Sequence, residues 1–229
     1  MKRFIAIIPA RGGSVRFPGK NIYPLNGKPL ISYSIEEALS VPEIMDVYVS
    51  TDDQQIASVS QKSGSKIINR PDELSTNHTT TVSALQHAVL QLLENGVDFE
   101  YIVLLQPTNP LRPGGLIYDA IKKIEEGNYD SLMTVSPLVR KLGKIQNQQF
   151  IPWNYSFGQR SQDMSPLFYE NGLLYISSKE LLVNGRIMGD SLYPMIVEHI
   201  FSDVDIDTKE DLIRAEILLK TFNEHEKSS

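Results

Sequence analysis

The 229-residue chain contains no cysteine. That absence excludes a disulfide framework, a thiolate zinc site, a thiol nucleophile and an iron–sulfur cluster, and it makes a reducing cytoplasm the expected home. Long apolar runs are missing as well, since no stretch approaches the ~20 apolar residues of a membrane-spanning helix. The opening segment sets Lys2 and Arg3 before an apolar run, yet Pro9 breaks that run and Arg11 follows, short of the roughly 7–15 apolar residues of a signal core. A soluble, intracellular protein with no membrane partner is expected, so the acceptor-like triplets at Asn77 and Asn154 carry no weight. The four histidines, His78, His87, His199 and His225, show no metal-ligand spacing, and no G-x-S-x-G elbow marks a serine nucleophile.

Acid is absent from one end. Residues 1–28 hold six bases (Lys2, Arg3, Arg11, Arg16, Lys20, Lys28) and no Asp or Glu, although the whole chain sums to −6. A negative total argues against nonspecific nucleic-acid binding, while the local excess asks for an anion. Near the other end, Glu198 to Glu216 carries seven acids against Lys209 and Arg214.

At 41% hydrophobic, the chain fits one globular domain, residues 1–229. Phe4 to Ile8 and Tyr101 to Leu105 are short β-branched or leucine-rich runs that stop at Pro-rich turns, the pattern of strands buried on both faces. Further strands are expected at Val47–Val49, Lys66–Ile68 and Ser131–Val135, with helices at Ile31–Leu39, Asp53–Lys62, from Val82 behind capping threonines, and after Gly115. This alternation predicts an α/β sandwich with a mainly parallel sheet, whose site lies beyond the carboxyl ends of strands. Residues 140–166 lack periodicity and carry Phe150, Trp153, Tyr155 and Phe157; they read as a surface hairpin or as an arm packing on a second subunit. After Asn171-Gly172 the chain returns to the sheet, Thr208 opens a terminal helix, and Glu224 to Ser229 is expected to fray.

Two clusters carry chemistry. The first, Pro9 to Asn21, joins Gly12 and Gly13, whose backbone can approach an anion closely, to the charges of Arg11, Arg16 and Lys20. It reads as a phosphate loop or as a solvated basic loop, and it is neither a P-loop nor a dinucleotide fingerprint. The second is Asp205 and Asp207, which alternate along an extended segment and so aim at one face. Two carboxylates so placed either hold a cation such as Mg²⁺ or favour the N-terminus of the helix behind them.

The string Ile8-Pro-Ala-Arg11-Gly-Gly-Ser14, continuing to Pro18-Gly-Lys20-Asn21, closely resembles the nucleotide-binding signature of the acylneuraminate cytidylyltransferases. Leu104-Leu-Gln106-Pro-Thr-Asn109-Pro-Leu-Arg112 resembles the same family's LLQPTSPLR with Asn109 for Ser, and Asn171-Gly172 before Leu-Tyr-Ile and Val204-Asp-Ile-Asp207 follow in order. The resemblance implies a three-layer Rossmann-like sandwich of the nucleotide-diphospho-sugar transferase type with an extended dimerisation arm. It also implies that CMP passes from CTP to the anomeric hydroxyl of a nine-carbon keto acid, releasing pyrophosphate with Mg²⁺ as cofactor.

Residue by residue, the resemblance puts Arg11, Gly12, Gly13, Ser14, Lys20 and Asn21 on CTP, and Arg70 and Thr81 on the cytosine and ribose. It puts Gln106, Lys144 (or Lys141), Arg160 and Asn171 on the sugar acid, and Asp205 and Asp207 on the metal. Arg11, Lys20 and Asp207 are the implied catalytic residues, and a homodimer is the implied assembly. The spacing around Arg160 is one residue longer than the family pattern, so Ser161 competes for that place. Relatives acting on N-acetylneuraminate carry Arg two residues before the Asn-Gly, where this chain has Tyr169-Glu170; this resembles enzymes for legionaminic acid more closely. The competing expectations are a cytidylyltransferase for eight-carbon Kdo-type acids and a catalytically silent CTP-binding module.

Overall fold

A computed structural model describes residues 2–226. The first strand, β1 (Phe4–Pro9), leads through a basic loop to the short pair β2 (Pro24–Leu25) and β3 (Lys28–Pro29). Then α1 (Leu30–Leu39), β4 (Ile44–Thr51), α2 (Gln54–Lys62), β5 (Lys66–Asn69), α3 (Thr81–Glu94), β6 (Tyr101–Leu104), α4 (Leu116–Glu126) and β7 (Ser131–Pro137) alternate. A separate hairpin, β8 (Gly143–Gln146) and β9 (Gln149–Pro152), precedes β10 (Phe168–Ser178), α5 (Lys179–Val183), β11 (Leu192–Ile196) and α6 (Lys209–Glu226). The terminal helix thus runs into the segment expected to fray; Lys227 to Ser229 lie outside the described residues.

The main sheet has seven strands in the order β11-β7-β10-β6-β1-β4-β5. Its core is parallel, β1 lying between β4 and β6, and β10 alone runs antiparallel to its neighbours β6 and β7. The side chains of β1 split by parity, as the pleat requires. Phe4, Ala6 and Ile8 pack with Ile31 and Ile35 of α1 and Ile117 and Ile121 of α4. Ile5 and Ile7 pack with Leu85, Val89 and Leu92 of α3 and Leu182 of α5. Helices on both faces explain why β1 reads as a continuous apolar run and not as an alternating one. A third cluster seats α6, through Leu212 and Ala215, on Phe17, Leu25, Leu30 and Phe201, bringing the acid-rich end of the chain onto its basic start.

The β8–β9 hairpin belongs to its own two-stranded sheet and turns at Asn147 and Gln148, both at positive φ, as a two-residue hairpin turn demands. Ile145, Trp153 and Phe157 are more than half exposed on this segment.

The turn after β6 is tied to the rest by a buried guanidinium. Arg112 donates from Nε to the Leu173 carbonyl (2.7 Å), from Nη1 to Ser34 Oγ (3.0 Å) and from Nη2 to the Gln106 carbonyl (3.1 Å). Burial pushes its pKa down to about 10, against the opposing field of Glu37. Replacing Arg112 with Met leaves the Leu173 carbonyl unpaired, while the Gln106 carbonyl and Ser34 Oγ keep only their mutual bond (3.4 Å); one buried unpaired acceptor costs about 1–3 kcal/mol. Chemical denaturation of Arg112→Met should therefore show a loss of at least about 1 kcal/mol, and an unchanged midpoint would remove the clamp.

Candidate active site

Beyond the carboxyl ends of β1, β5 and β6 lies an open cleft of about 530 Å³. Four cations, Arg11, Arg16, Lys20 and Arg70, line it against a single carboxylate, Asp207. Thr79, Thr80, Thr81 and Ala84 form one wall. These residues are the start of α3, whose N-cap Thr80 accepts from Ser83 N–H. A helix start adds unpaired N–H groups and the positive end of the helix dipole to an already cationic cleft. Gln106, Pro107 and Thr108 form the opposite wall.

Arg11 and Arg70 are held by backbone carbonyls, and Lys20 and Arg16 by a carboxylate. Arg11 donates from Nη1 to the Thr76 carbonyl (2.5 Å), and Asn21 Nδ2 reaches back to the Arg11 carbonyl (3.0 Å), so Asn21 braces the loop that carries Arg11. Arg70 is 8% exposed and binds Ser50 through Oγ (3.1 Å) and the carbonyl (2.5 Å). Burial lowers its pKa, Asp52 opposes that and Arg11 adds to it. Lys20, equally buried, pairs with Asp207 at 2.7 Å, and Arg16 pairs with the other oxygen of the same carboxylate. Desolvation pushes the Asp207 pKa up, but Lys20 and Arg16 outweigh it and hold the group ionised below the usual carboxylate range.

Of the residues singled out in the sequence, Arg11, Ser14, Lys20, Asn21, Arg70, Thr81, Gln106 and Asp207 all line this cleft. Others are placed differently. Asp205 is not among the residues that line the cleft and instead lines a depression with Arg140 and Asp211, yet Thr108, Asp207 and Lys20 all act on its carboxylate, so the two acids remain neighbours. The segment is not a strand: Ile206 N–H binds the Thr108 carbonyl (2.8 Å), and Lys20 pairs directly with Asp207. Asp205 still feels Asp207: burial, offset by a Thr108 hydrogen bond, raises its pKa, and Asp207 adds to the rise.

Asn171 is buried away from the cleft with its amide spent inside the fold, accepting from Thr134 Oγ1 (2.6 Å) and donating to Ser136 Oγ (2.9 Å). It shapes β10 and offers nothing to a ligand. Lys144 and Arg160 do not line the cleft of their own chain either: Lys144 is exposed on β8, and Arg160 forks onto Asp163 (2.7 and 2.9 Å). Gly12 turns its N–H to Asp52 Oδ1 (3.0 Å) and not into the cleft, and Ser14 N–H bonds the Gly12 carbonyl (3.0 Å).

Read from the sequence, Arg16 has a place only in the charge of the loop and Asp52 has none in the site; Asp52 meets Gly12 from forty residues away, and no local pattern marks it. Among the described residues no group of three or more His, Asp or Glu is arranged to hold a metal. The donors on hand for one are the two carboxylates Asp205 and Asp207, an all-oxygen set suited to a hard divalent cation that takes its remaining ligands from phosphates and water.

The close approach at Gly12 is measurable. A Cβ there would sit 2.7 Å from Asp53 Oδ2, and Asp53 caps α2 by accepting from Gln55 and Ile56 N–H. Around Gly13 the space is open. Gly12→Ala should cost about 1 kcal/mol through the lost cap, whereas Gly13→Ala should stay within about 0.5 kcal/mol. Thermal denaturation of the two variants reads the difference, and equal costs would contradict the geometry.

Comparison with known proteins adds the following. Residues 5–227 match the family model described as cytidylyltransferase. The CMP-N,N'-diacetyllegionaminic acid synthase of Legionella pneumophila is 31% identical over 233 residues, covering 97% of this chain and 98% of that protein. The pseudaminic acid cytidylyltransferase of Campylobacter jejuni is 30% identical, covering 96% and 97%. The N-acylneuraminate cytidylyltransferase of Streptococcus agalactiae is 32% identical over 91% of this chain, which spans 51% of that longer relative. Among solved structures, CMP:2-keto-3-deoxy-manno-octonic acid synthetase complexed with CTP superposes with a TM-score of 0.73 at 18% identity, covering 96% of this chain and 99% of that one. The fold is shared with it.

Proposed function

The chain belongs to the cytidylyltransferase family, and on that premise we propose that it transfers CMP from CTP to the anomeric hydroxyl of a nine-carbon keto sugar acid, releasing pyrophosphate. The carrying observation is the cleft itself: four cations and a helix start on one side, and the neutral amide of Gln106 on the other. The hydroxyl oxygen forms a bond to the α-phosphorus as the bond to pyrophosphate breaks in line. Positioning and charge neutralisation do most of the work in such transfers.

Arg11 and Lys20 bind the triphosphate and neutralise the departing pyrophosphate, with the N–H groups at the start of α3 available to phosphate or ribose oxygens. Arg70, already fixed by Ser50, and Thr81 hold the nucleoside. Gln106 faces the sugar acid. Asp207 and Asp205 are the residues that would hold Mg²⁺, which when bound supplies charge neutralisation at the α-phosphate.

Among acids, we favour legionaminic over N-acetylneuraminic acid. The support is Tyr169-Glu170 before the Asn-Gly, where the neuraminate enzymes carry Arg two residues ahead of it, together with the full-length similarity to the Legionella protein. A pyrophosphate-release assay with CTP against legionaminic, N-acetylneuraminic, pseudaminic and Kdo acids decides. Turnover with Kdo alone, or CTP binding without turnover of any acid, would sink the proposal. In the same assay Asp207→Asn should lower the rate at least about a hundredfold at saturating Mg²⁺ while CTP binding stays detectable; near-normal rates would remove the metal role.

Since Lys144 and Arg160 stand away from their own cleft, their proposed contact with the sugar carboxylate needs a second copy of the chain. The exposed Ile145, Trp153 and Phe157 of the 140–166 arm suit such an interface. Light scattering should return the mass of a homodimer, and a fully active monomer would exclude this arrangement.

A further inference from the structure

Asp207 is the one acid lining the cleft, and both of its oxygens are taken. Lys20 Nζ donates to Oδ1 at 2.7 Å, and the Arg16 guanidinium donates to Oδ2. The neighbouring Asp211 cannot replace it toward a cation, because Asp211 is spent on the start of α6. There it accepts from Asp207 N–H (3.2 Å), Thr208 N–H (2.9 Å) and Thr208 Oγ1 (2.8 Å). A divalent cation that takes Asp207 as a ligand must therefore displace a positive group first.

The two cations are not equivalent. Lys20 is buried and fixed in a tight turn, its N–H on the Phe17 carbonyl (3.2 Å) and its own carbonyl receiving Tyr23 N–H (3.0 Å). The Arg16 side chain is 68% exposed, and Asp207 is its only hydrogen-bond or ion-pair partner among the described residues. An exposed ion pair is weak, and Arg16 also lines the cleft, where the phosphates of an entering nucleotide offer a guanidinium a stronger, bidentate partner. Charge sets the effect of the present pairing. Arg16 and Lys20 against Asp205 and Asp207 sum to zero, and without Arg16 the sum is −1. A divalent cation thus meets a neutral patch with Oδ2 taken before Arg16 leaves, and a negative patch with Oδ2 open afterwards.

We infer that Arg16 gates the metal site: it occupies Asp207 Oδ2 until the triphosphate of CTP takes its guanidinium, so that the divalent cation binds with the nucleotide and not before it. This rests on the proposed metal role of Asp207. Nucleotide and metal are then coupled through one side chain, each favouring the other by the same factor. A guanidinium that only meets phosphates predicts weaker CTP binding on its removal, but no change in how the nucleotide-free protein binds a metal.

The test reads binding to the full chain without turnover. Mn²⁺ is titrated into nucleotide-free protein while free Mn²⁺ is followed by electron paramagnetic resonance. Arg16→Gln should bind it at least about tenfold more tightly than wild type, the scale on which a unit charge a few ångströms away acts on a divalent ion even in high dielectric. Arg16→Lys, which keeps the charge, should stay within about threefold of wild type. Combining Arg16→Gln with Asp207→Asn should abolish the gain. In EDTA, isothermal titration should show CTP binding Arg16→Gln about tenfold more weakly, since a cation is lost and Asp207 is less neutralised. Equal Mn²⁺ affinity in wild type and Arg16→Gln, Arg16→Lys matching Arg16→Gln, a gain that survives Asp207→Asn, or an unchanged CTP affinity would each overturn the inference. None of these measurements needs the acid, so wild type inactive with every nine-carbon acid would defeat the proposed function while the Mn²⁺ titration still decides the gate.

Discussion

A guanidinium buried to 5% exposure is a costly object, stable only when its donors are satisfied in a fixed fork. Arg112 meets that condition by drawing α1, β10 and the turn after β6 onto one point. Everything on the acidic side of the cleft hangs from that turn. Asn109, the next anchor along, donates to the Val204 carbonyl (2.9 Å) and reaches the Asn171 carbonyl (3.4 Å), and Thr108 receives Ile206 N–H. The segment carrying Asp205 and Asp207 is therefore positioned by the Gln106–Arg112 motif and not by a strand of its own.

This arrangement explains a division of labour inside the motifs. In the first, Arg11 and Lys20 face the cleft, Gly12 is spent on holding the loop through Asp52, and Asn21 both lines the cleft and braces the loop through Arg11. In the second, Gln106 faces the cleft while Asn109 and Arg112 are wholly structural. Asn109, standing where the resembling pattern has Ser, has the longer side chain needed to bridge two carbonyls on different segments. The cations of the loop find Asp207 as their counter-charge, which keeps a strongly positive cleft from repelling itself open in the absence of an anion.

Much of this was legible in the sequence. The strands β1 and β6 announced themselves because burial on both faces leaves an unbroken apolar run, and the capping threonines marked the start of α3. The cleft lay at strand ends as parallel sheets require. What was not legible depended on partners distant in the chain. Nothing local tells that β10 returns antiparallel with a bulge, so the Asn171 amide, which looks polar and available, disappears into Thr134 and Ser136. Period-two spacing does not tell that Asp207 turns to Lys20 and Arg16 while Asp205 stays beside Thr108, because those partners lie far away in the chain. Arg160 pairs with Asp163 three residues on, and whether a second copy brings it near a cleft depends on an interface no local pattern encodes. β11 at the sheet edge has a proline in its middle, Pro194, which reads against a strand and is tolerated only because the edge has an unpaired side.

The Lys20–Asp207 pair joins positions 187 residues apart. On a ribosome adding about 5–20 residues each second, the basic loop is made roughly ten to forty seconds before the carboxylate that completes its charge. Through that interval Asp52, which takes the Gly12 N–H, is already made, but Lys20 and Arg16 lack their counter-charge. The segment leading into α6, which carries Asp207, is what completes the charge of the cleft.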